Sequence, residues 1–231
     1  MPSVDRSLVE GLELFSGLAA DQIDRMLQEA QPVRYPKGTN VFEQDEEAHS
    51  FFILLNGHLR VFKLTPDGQQ VVVRFVAPGE VFGVAMAIGR TTYPATAFAV
   101  VDSIALVWPS AAWPRLVAAH PGLAVNTLRT IGSRLQDAHT RVVEMSTEQV
   151  ERRIAHALLR LVQQSGRRVE AGVEIDFPIT RQDVAEMTGA TLHTVSRVLS
   201  AWESRGLVAG GRQRIMIREP HKLLLLAEGA G

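Results

Sequence analysis

The chain has 231 residues, of which 46% are hydrophobic, and its formal net charge at pH 7 is -1. This length predicts about two domains, and the apolar content excludes a disordered chain. Because the sequence has no cysteine, it excludes disulfides, thiolate metal sites and cysteine-bound iron-sulfur clusters. It also lacks an apolar signal core and any run of membrane-spanning length, so we expect a cytoplasmic protein with no membrane partner.

The N-terminal half begins with two short helical patterns within residues 4–30. Their expected buried positions are Leu8, Leu12, Phe15, Leu18, Ile23 and Met26. From Arg34 to about Val107, short apolar runs alternate with turn sequences such as Pro36-Lys-Gly38 and Asn56-Gly57. Repeated short strands between such turns predict a β-sandwich or barrel.

A long periodic segment follows from Pro121 onward. Apolar residues recur there at alternating spacings of four and three, at Ala124, Leu128, Ile131, Leu135, Ala138, Val142 and Met145. A heptad pattern sustained over this length favours pairing with a second copy of the same helix. We therefore expect a parallel homodimer whose seam contains Leu128, Ile131, Leu135, Ala138 and Val142. The alternative is a helix packed only on its own β-domain.

Two short helices separated by a glycine are predicted between Ile179 and Leu207. Thr180 can cap the first helix, with Asp183 completing an approximate capping box, and Thr191 can cap the second. Val195, Val198, Leu199 and Trp202 form one buried face of the second helix, which leaves Leu192, His193, Ser196 and Arg197 on the other face. Such a polar face with an arginine is typical of a helix that reads the major groove.

A basic hairpin is predicted directly after the second helix. Residues 207–218 alternate around Gly210-Gly211 and contain Arg212, Arg214 and Arg218, which suit phosphate contacts. Helix, turn, capped helix and basic hairpin together predict a winged helix-turn-helix that binds double-stranded DNA. The expected DNA-binding residues are Thr180, Arg181, Thr191, Leu192, His193, Ser196, Arg197, Arg212 and Arg214.

The predicted fold class is α+β, in three parts. Residues 1–120 form a β-roll effector or sensor domain, a jelly roll that resembles cyclic-nucleotide-binding domains. Residues 121–146 form the dimerisation helix, and residues 147–231 form the winged helix-turn-helix domain. No P-loop, no motif of paired carboxylates and no Ser/His/Asp order with a supporting motif is present, so the sequence does not favour an enzyme.

This order of parts resembles the CRP/FNR family of bacterial transcription regulators, over essentially the whole chain. The most specific motifs are Thr180-Arg-Gln-Asp-Val-Ala185 and Thr194-Val-Ser-Arg-Val-Leu199. The resemblance implies a homodimer that reads a near-palindromic DNA site, with half-sites about one helical turn apart, and RNA polymerase as a partner. Ser196 and Arg197 match the FNR-like pattern, whereas His193 stands where that pattern has a Glu. We expect Arg197 to contact guanine and leave the base at His193 open.

The resemblance also predicts what the sensor domain does not bind. The cyclic-AMP branch holds the ribose with a Glu and the cyclic phosphate with an Arg, and the matching positions here are Val84 and Pro94. Because a buried phosphate without a cation is costly, we expect no tight binding of cyclic AMP. Arg90 is the only nearby substitute for the missing cation.

The effector therefore stays unknown at this stage. What remains resembles family members that respond to nitric oxide or carbon monoxide through non-covalent haem, or members that need no ligand. The expected effector pocket consists of Val81, Val84, Met86, Arg90 and Tyr93, and plain hydrophobic core is the alternative. No metal ligand is assigned, because none of His49, His58, His120, His139 and His156 has a diagnostic spacing. Met1-Pro2 matches the N-terminal proline ligand of the carbon-monoxide sensor, and we interpret it as coincidence because the other ligands of that sensor are missing.

One different class of function remains open. The chain could be a cyclic-nucleotide-binding regulatory module that acts on a protein partner, with its C-terminal domain as an interaction surface. Tight binding of a cyclic nucleotide would favour this alternative.

Overall fold

The computed structural model describes residues 4–229, so that Pro2 and the ends of the first and last predicted domains lie outside the described residues. The chain forms two compact units. The N-terminal unit comprises Met1–Leu64 and Arg74–Asp137, and the C-terminal unit comprises Thr65–Val73 and Ala138–Gly231. Within residues 4–229, no helix combines the length and the apolar character needed to cross a membrane.

The N-terminal unit begins with two 3-10 helices, Arg6–Leu8 and Glu13–Phe15, followed by helix α1, Ala20–Leu27. Phe15, Ile23 and Met26 are buried as predicted, but Leu8 is 57% exposed. Val9 and Leu14 are buried instead. The prediction for Leu8 was wrong because the first segment is a single three-residue 3-10 turn, which presents different positions to the core from an α-helix.

Eight short strands then form two antiparallel sheets, which confirms the predicted sandwich. The sheets have the strand orders β1-β8-β3-β6 and β2-β7-β4-β5. The strand bounds are β1 Gln31–Tyr35, β2 Asn40–Phe42, β3 Ser50–Asn56, β4 Leu59–Leu64, β5 Gln70–Val76, β6 Val81–Phe82, β7 Thr96–Ala99 and β8 Ser103–Pro109. The turn between β3 and β4 requires Gly57, which has a φ of 89° and whose added Cβ would lie 2.3 Å from Ser103 Oγ.

Strand β3 is buried on both faces and divides the hydrophobic core into two clusters. Phe51 and Ile53 pack in the cluster that contains Trp108 and the N-terminal helices. Phe52 and Leu54 pack in the other cluster, together with Phe42, Phe82 and Tyr93. Since successive side chains of a strand point to opposite faces, a continuous apolar run is what a strand between two cores requires.

The helices that follow are a 3-10 turn at Ser110–Ala112, α2 at Trp113–Ala119 and α3 at Pro121–Thr147. Helix α3 has 27 residues, which corresponds to a length of about 40 Å. Helix α3 ends at Thr147 and α4 begins at Val150, so the two helices are separated by the polar residues Glu148 and Gln149.

After the end of α3, the C-terminal unit contains four further helices and a four-stranded sheet. Its elements are α4 Val150–Ser165, β9 Gly166–Val169, β10 Gly172–Ile175, α5 Arg181–Thr188, α6 Leu192–Ser204, β11 Val208–Gly211, β12 Arg214–Ile217 and α7 Pro220–Glu228. The strand order β11-β12-β10-β9 joins the predicted wing, β11 and β12, with β10 and β9 in one sheet.

The turn of the wing is not where the sequence placed it. Gly211 pairs with Arg214, so the turn residues are Arg212 and Gln213 rather than Gly210 and Gly211. Gln213 adopts the left-handed conformation, with a φ of 59°. The glycine pair lies in strand β11, where Gly210 accommodates a neighbouring side chain.

Trp108 supplies a testable link between β8 and α1. Its indole is fully buried and Nε1 donates to the carbonyl of Met26 at 2.8 Å. Trp108→Phe should lower the free energy of unfolding by about 1 to 3 kcal/mol, because the buried carbonyl loses its donor. Urea denaturation measures this loss. Trp113→Phe is the control, since the Trp113 indole makes no hydrogen bond with the described residues; an equal loss in both variants would contradict the role of this bond.

Candidate nucleic-acid interface

Helices α5 and α6 begin at the two predicted caps. The Thr180 hydroxyl accepts the Asp183 backbone N–H at 3.0 Å, and the Asp183 carboxylate accepts the Thr180 N–H at 2.8 Å. Thr191 Oγ1 accepts the N–H of Thr194 at 3.1 Å. Between the helices, Gly189 ends α5 with a φ of 63°, a conformation that favours glycine.

Helix α6 separates a buried face from an exposed one. Val195, Leu199 and Trp202 are buried, and Trp202 Nε1 donates to Glu151 at 2.8 Å. Val198, predicted to share this face, is half-buried. The opposite side presents the predicted DNA-reading residues: Leu192, His193 and Arg197 are exposed, and Ser196 is half-buried.

The arginines of the predicted interface fall into two groups. Arg197 on α6 and Arg212 at the tip of the wing are exposed and have no carboxylate partner among residues 4–229. Arg181 instead lies 3.0 Å from Glu203, and Arg214 is ion-paired with Glu174. Arg197 and Arg212 can therefore contact a nucleic acid without first breaking an ion pair.

Glu174 is a buried carboxylate at the centre of the sheet, and the sequence did not single it out. It is only 7% exposed and holds Arg167 at 3.0 Å from β9 as well as Arg214 from β12. A carboxylate buried on a central strand is normally paired with cations. Its position between arginines of two flanking strands could be found only after the strand order was known.

Glu203 was also missed, although the sequence contained a signal for it. Ser196, Ser200 and Glu203 follow one another at spacings of four and three, so they lie along one face of α6. Arg181 Nη1 is 3.3 Å from Ser200 Oγ and 3.4 Å from the Ser196 carbonyl oxygen. The side chain of Arg181 is therefore directed along α6 rather than into solvent alone.

The predicted seam residues lie along α3. In the N-terminal unit, Leu128 is 69% exposed and Leu135 is 55% exposed, while Ile131 is half-buried. In the C-terminal unit, Val142 is 61% exposed and Ala138 is half-buried. Exposed apolar side chains in such a row mark a surface that a partner can cover.

One charged contact anchors α3 to the β-strands and was not predicted. Arg134 donates to the carbonyl of Val81 and lies 3.8 Å from Glu80. Burial, together with the charge of Arg74, lowers the pKa of Arg134 to about 9, although Glu80 and Glu13 act in the opposite direction. Arg134 nevertheless stays protonated at neutral pH.

The structure does not bring the five predicted effector residues together. Val81 and Val84 pack in the cluster around Trp108, whereas Tyr93 is buried in the other cluster. Met86 and Arg90 are exposed. Tyr93 stacks on Phe42 with ring centroids 3.8 Å apart and donates to the Ser50 carbonyl at 2.7 Å. Burial raises the pKa of Tyr93 to about 12, so it stays neutral.

The five candidate histidines are spread over different parts of the chain. His49 and His139 are exposed, His58 and His156 are half-buried, and His120 is buried between α2 and α3. No three His, Cys, Asp or Glu side chains of the described chain are grouped to hold a metal ion. With the predicted pocket residues divided between two cores, this arrangement does not fit a haem site formed by them.

Two family models match the chain. Residues 32–120 match the cyclic nucleotide-binding domain, and residues 152–226 match the Crp-like helix-turn-helix domain. The chain is 30% identical to the cyclic AMP receptor protein of Thermus thermophilus, over 96% of this chain and 99% of that protein. It is 27% identical to the nitrogen fixation regulation protein FixK of Bradyrhizobium diazoefficiens, over 92% of this chain and 88% of that protein.

Solved structures share the same fold. The structure of FixK2 from Bradyrhizobium japonicum aligns with a TM-score of 0.76 and 24% identity, covering 85% of this chain and 96% of that one. The relatives named above are regulators rather than enzymes. From the two matched domains and the 30% identity over nearly full length, we conclude that the chain belongs to the CRP/FNR family of transcription regulators with a helix-turn-helix DNA-binding domain.

Proposed function

We propose that this protein is a homodimeric transcription regulator that reads a near-palindromic DNA site through α6. The observation that carries the proposal is the position of Arg197. It is exposed on the outer face of a capped helix whose opposite face is buried, and no carboxylate of the described chain pairs with it.

The chemistry of the outer face of α6 suits base reading. An arginine can donate two hydrogen bonds to the O6 and N7 atoms of one guanine in the major groove. His193, one turn before Arg197, can donate or accept according to its tautomer and charge. Leu192 is close enough to the start of α6 to contact a thymine methyl group, and the hydroxyls of Thr191 and Ser196 can contact base edges or phosphate.

The wing supplies the contacts that position the domain on the duplex. Arg212 occupies the turn between β11 and β12 and is exposed. A flexible cation at the tip of a hairpin suits a phosphate of the adjacent backbone. Arg214 supports the wing through its ion pair with Glu174. Thr180, another predicted DNA-binding residue, is engaged in the cap of α5, where its Oγ1 lies 2.6 Å from the Asp183 carboxylate.

The dimer is proposed on the exposed row of α3. Pairing of two parallel copies would bury Leu128, Leu135 and Val142, which one chain leaves more than half exposed. Two copies of α6 related by a twofold axis would then face successive major grooves, about 34 to 36 Å apart. RNA polymerase is the further partner that a transcription regulator of this family implies.

Cyclic AMP is not the effector that we propose. The name of the Thermus thermophilus relative states a cyclic AMP receptor, but the positions of this chain that match the ribose-binding Glu and the phosphate-binding Arg hold Val84 and Pro94. Both side chains are half-buried and uncharged. An anionic phosphate would lose its hydration there without gaining a cation.

Arg197→Ala tests the reading role. With a cognate inverted repeat selected from random DNA, the substitution should cost about 1 to 3 kcal/mol of binding free energy and relax the preference at one base pair of each half-site. Fluorescence anisotropy on the cognate site and on its single-base variants measures both effects. Arg205→Ala, which removes the same charge at the C-terminal end of α6, should leave the base preference intact. Equal effects of the two substitutions would remove Arg197 from the reading set.

Leu135→Asp tests the dimer. In a parallel pair the two carboxylates would meet in an apolar seam, so the substitution should convert the dimer into a monomer. Sedimentation over a range of concentrations measures the change. Ser133→Asp introduces the same charge on α3 outside the seam pattern and should leave the protein dimeric. A wild-type protein that is monomeric at all concentrations would contradict the proposal.

The effector prediction is tested by titration. Calorimetry with cyclic AMP and cyclic GMP should show no tight binding, because Val84 and Pro94 offer no charge to the nucleotide. Tight binding would contradict this prediction and favour the regulatory module that acts on a protein partner.

Haem binding is tested by an absorbance spectrum of the protein after haem addition. We expect no shift of the Soret band. A Soret band that responds to nitric oxide or carbon monoxide would establish a haem input.

A further inference from the structure

Three elements of the C-terminal unit meet at the Arg181 side chain. Arg181 is the first residue of α5, and its guanidinium lies 3.0 Å from Glu203 Oε1, 3.3 Å from Ser200 Oγ and 3.4 Å from the Ser196 carbonyl oxygen. The charged bond to Glu203 is the shortest of the three. These contacts follow α6 over two turns, from the residue before Arg197 to the last turn of the helix.

Glu203 also contacts the wing. A Cβ added at Gly210 in strand β11 would lie 2.3 Å from Glu203 Oε1 and 4.0 Å from Arg181 Nη2. The carboxylate therefore occupies the space that a side chain at Gly210 would take. Gly210 does not have a positive φ, so the absence of a side chain, rather than backbone strain, explains the glycine.

The ion pair adds directional contacts from α6 to α5 and the wing, whereas the hydrogen bond from Trp202 to Glu151 is directed to α4. The buried face of α6 consists mainly of apolar contacts, and apolar packing is non-directional. A guanidinium donates along fixed directions, so a pair with a carboxylate fixes geometry as well as adding energy. One ion pair, between Arg181 and Glu203, therefore links the start of α5, two turns of α6 and strand β11.

We propose that Arg181 and Glu203 are positioning residues that set the orientation of α6 relative to α5 and the wing, so that Arg197 meets its base. Arg181 thus acts through Glu203 and not as a direct DNA contact, which was its role in the sequence prediction. The inference rests on the proposed DNA reading by α6, and it adds Glu203 and Gly210 to the residues that determine specificity.

The two roles of Arg181 predict opposite results when Glu203 is neutralised. If Arg181 contacts phosphate, removal of Glu203 releases the arginine and removes a negative charge, so all DNA sequences should bind more tightly. If Arg181 is a positioning residue, the same substitution should weaken binding to the cognate site and reduce discrimination between bases. The salt dependence separates them further, because each phosphate contact contributes about one unit to the slope of log K against log salt concentration.

The experiment uses the full chain and two matched pairs of variants. Glu203→Ala is compared with Glu170→Ala, which removes the same charge from an exposed position that makes no ion pair with the described residues. Gly210→Ala displaces the Glu203 carboxylate without changing any charge. It is compared with Gly211→Ala, whose added Cβ would have only an ordinary contact of 3.8 Å with Arg214 Cβ.

Binding is measured on the cognate site and on the site altered at the base that Arg197 reads. Glu203→Ala and Gly210→Ala should lose about tenfold of the discrimination between the two sites, as expected when a bidentate base contact is misplaced, with the salt slope unchanged on the altered site. Both controls should keep the wild-type ratio. Discrimination that is retained in Glu203→Ala, or tighter binding of both sites, overturns the proposal.

A second measurement needs no DNA and separates this inference from the proposed function. Hydrogen exchange should accelerate at the start of α5 and in β11 of Glu203→Ala and Gly210→Ala, relative to their controls, while the amides of α4 and α7 remain protected. If exchange at these positions equals that of the controls, the positioning role is wrong, whether or not the wild type binds DNA. Acceleration across the whole unit contradicts it equally, because a local link should not govern α4.

Discussion

The burial of one face of α6 is the constraint on which the reading surface depends. Successive residues of a helix are rotated by about 100° around its axis. Burial of Val195, Leu199 and Trp202 therefore determines which residues of α6 face outward. Trp202 also donates to Glu151 at 2.8 Å, which adds a directional contact between α6 and α4. The exposure of His193 and Arg197 follows from this packing, and the capping bonds of Thr180 and Thr191 determine where each helix begins.

The parts of the structure that were predictable are those encoded by local periodicity. The caps at Thr180 and Thr191, the glycine turn at Gly189 and the long helix from Pro121 each depend on residues within one or two turns of each other. Such signals survive in a sequence without any knowledge of the fold. Short strands between turns were visible for the same reason, which is why the β-sandwich was predicted without its strand order.

The features that were missed depend on residues distant in sequence. Glu174 becomes the centre of an ion-paired group only when β9, β10 and β12 lie side by side, and 40 residues separate it from Arg214. Glu203 pairs with Arg181 across 22 residues. The effector residues failed to converge because β3 separates two cores, so that Val81 and Tyr93 face different clusters. Linear spacing gives no information about which side of a central strand a later residue will face.

A function known for the family can therefore be inferred for this chain more safely in its C-terminal half than in its N-terminal half. In the C-terminal unit, the residues that match the family motif, Ser196 and Arg197, lie on the outer face of a helix whose other face is buried. In the N-terminal unit, the positions that we match to the nucleotide-holding Glu and Arg of the cyclic-AMP branch carry Val84 and Pro94. Hydrophobic packing tolerates such replacements, since the cost falls on ligand binding and not on the fold. A shared recognition helix is good support for a shared mode of DNA reading. A shared β-sandwich is weaker support for a shared effector, because the fold is kept when the ligand-binding residues change.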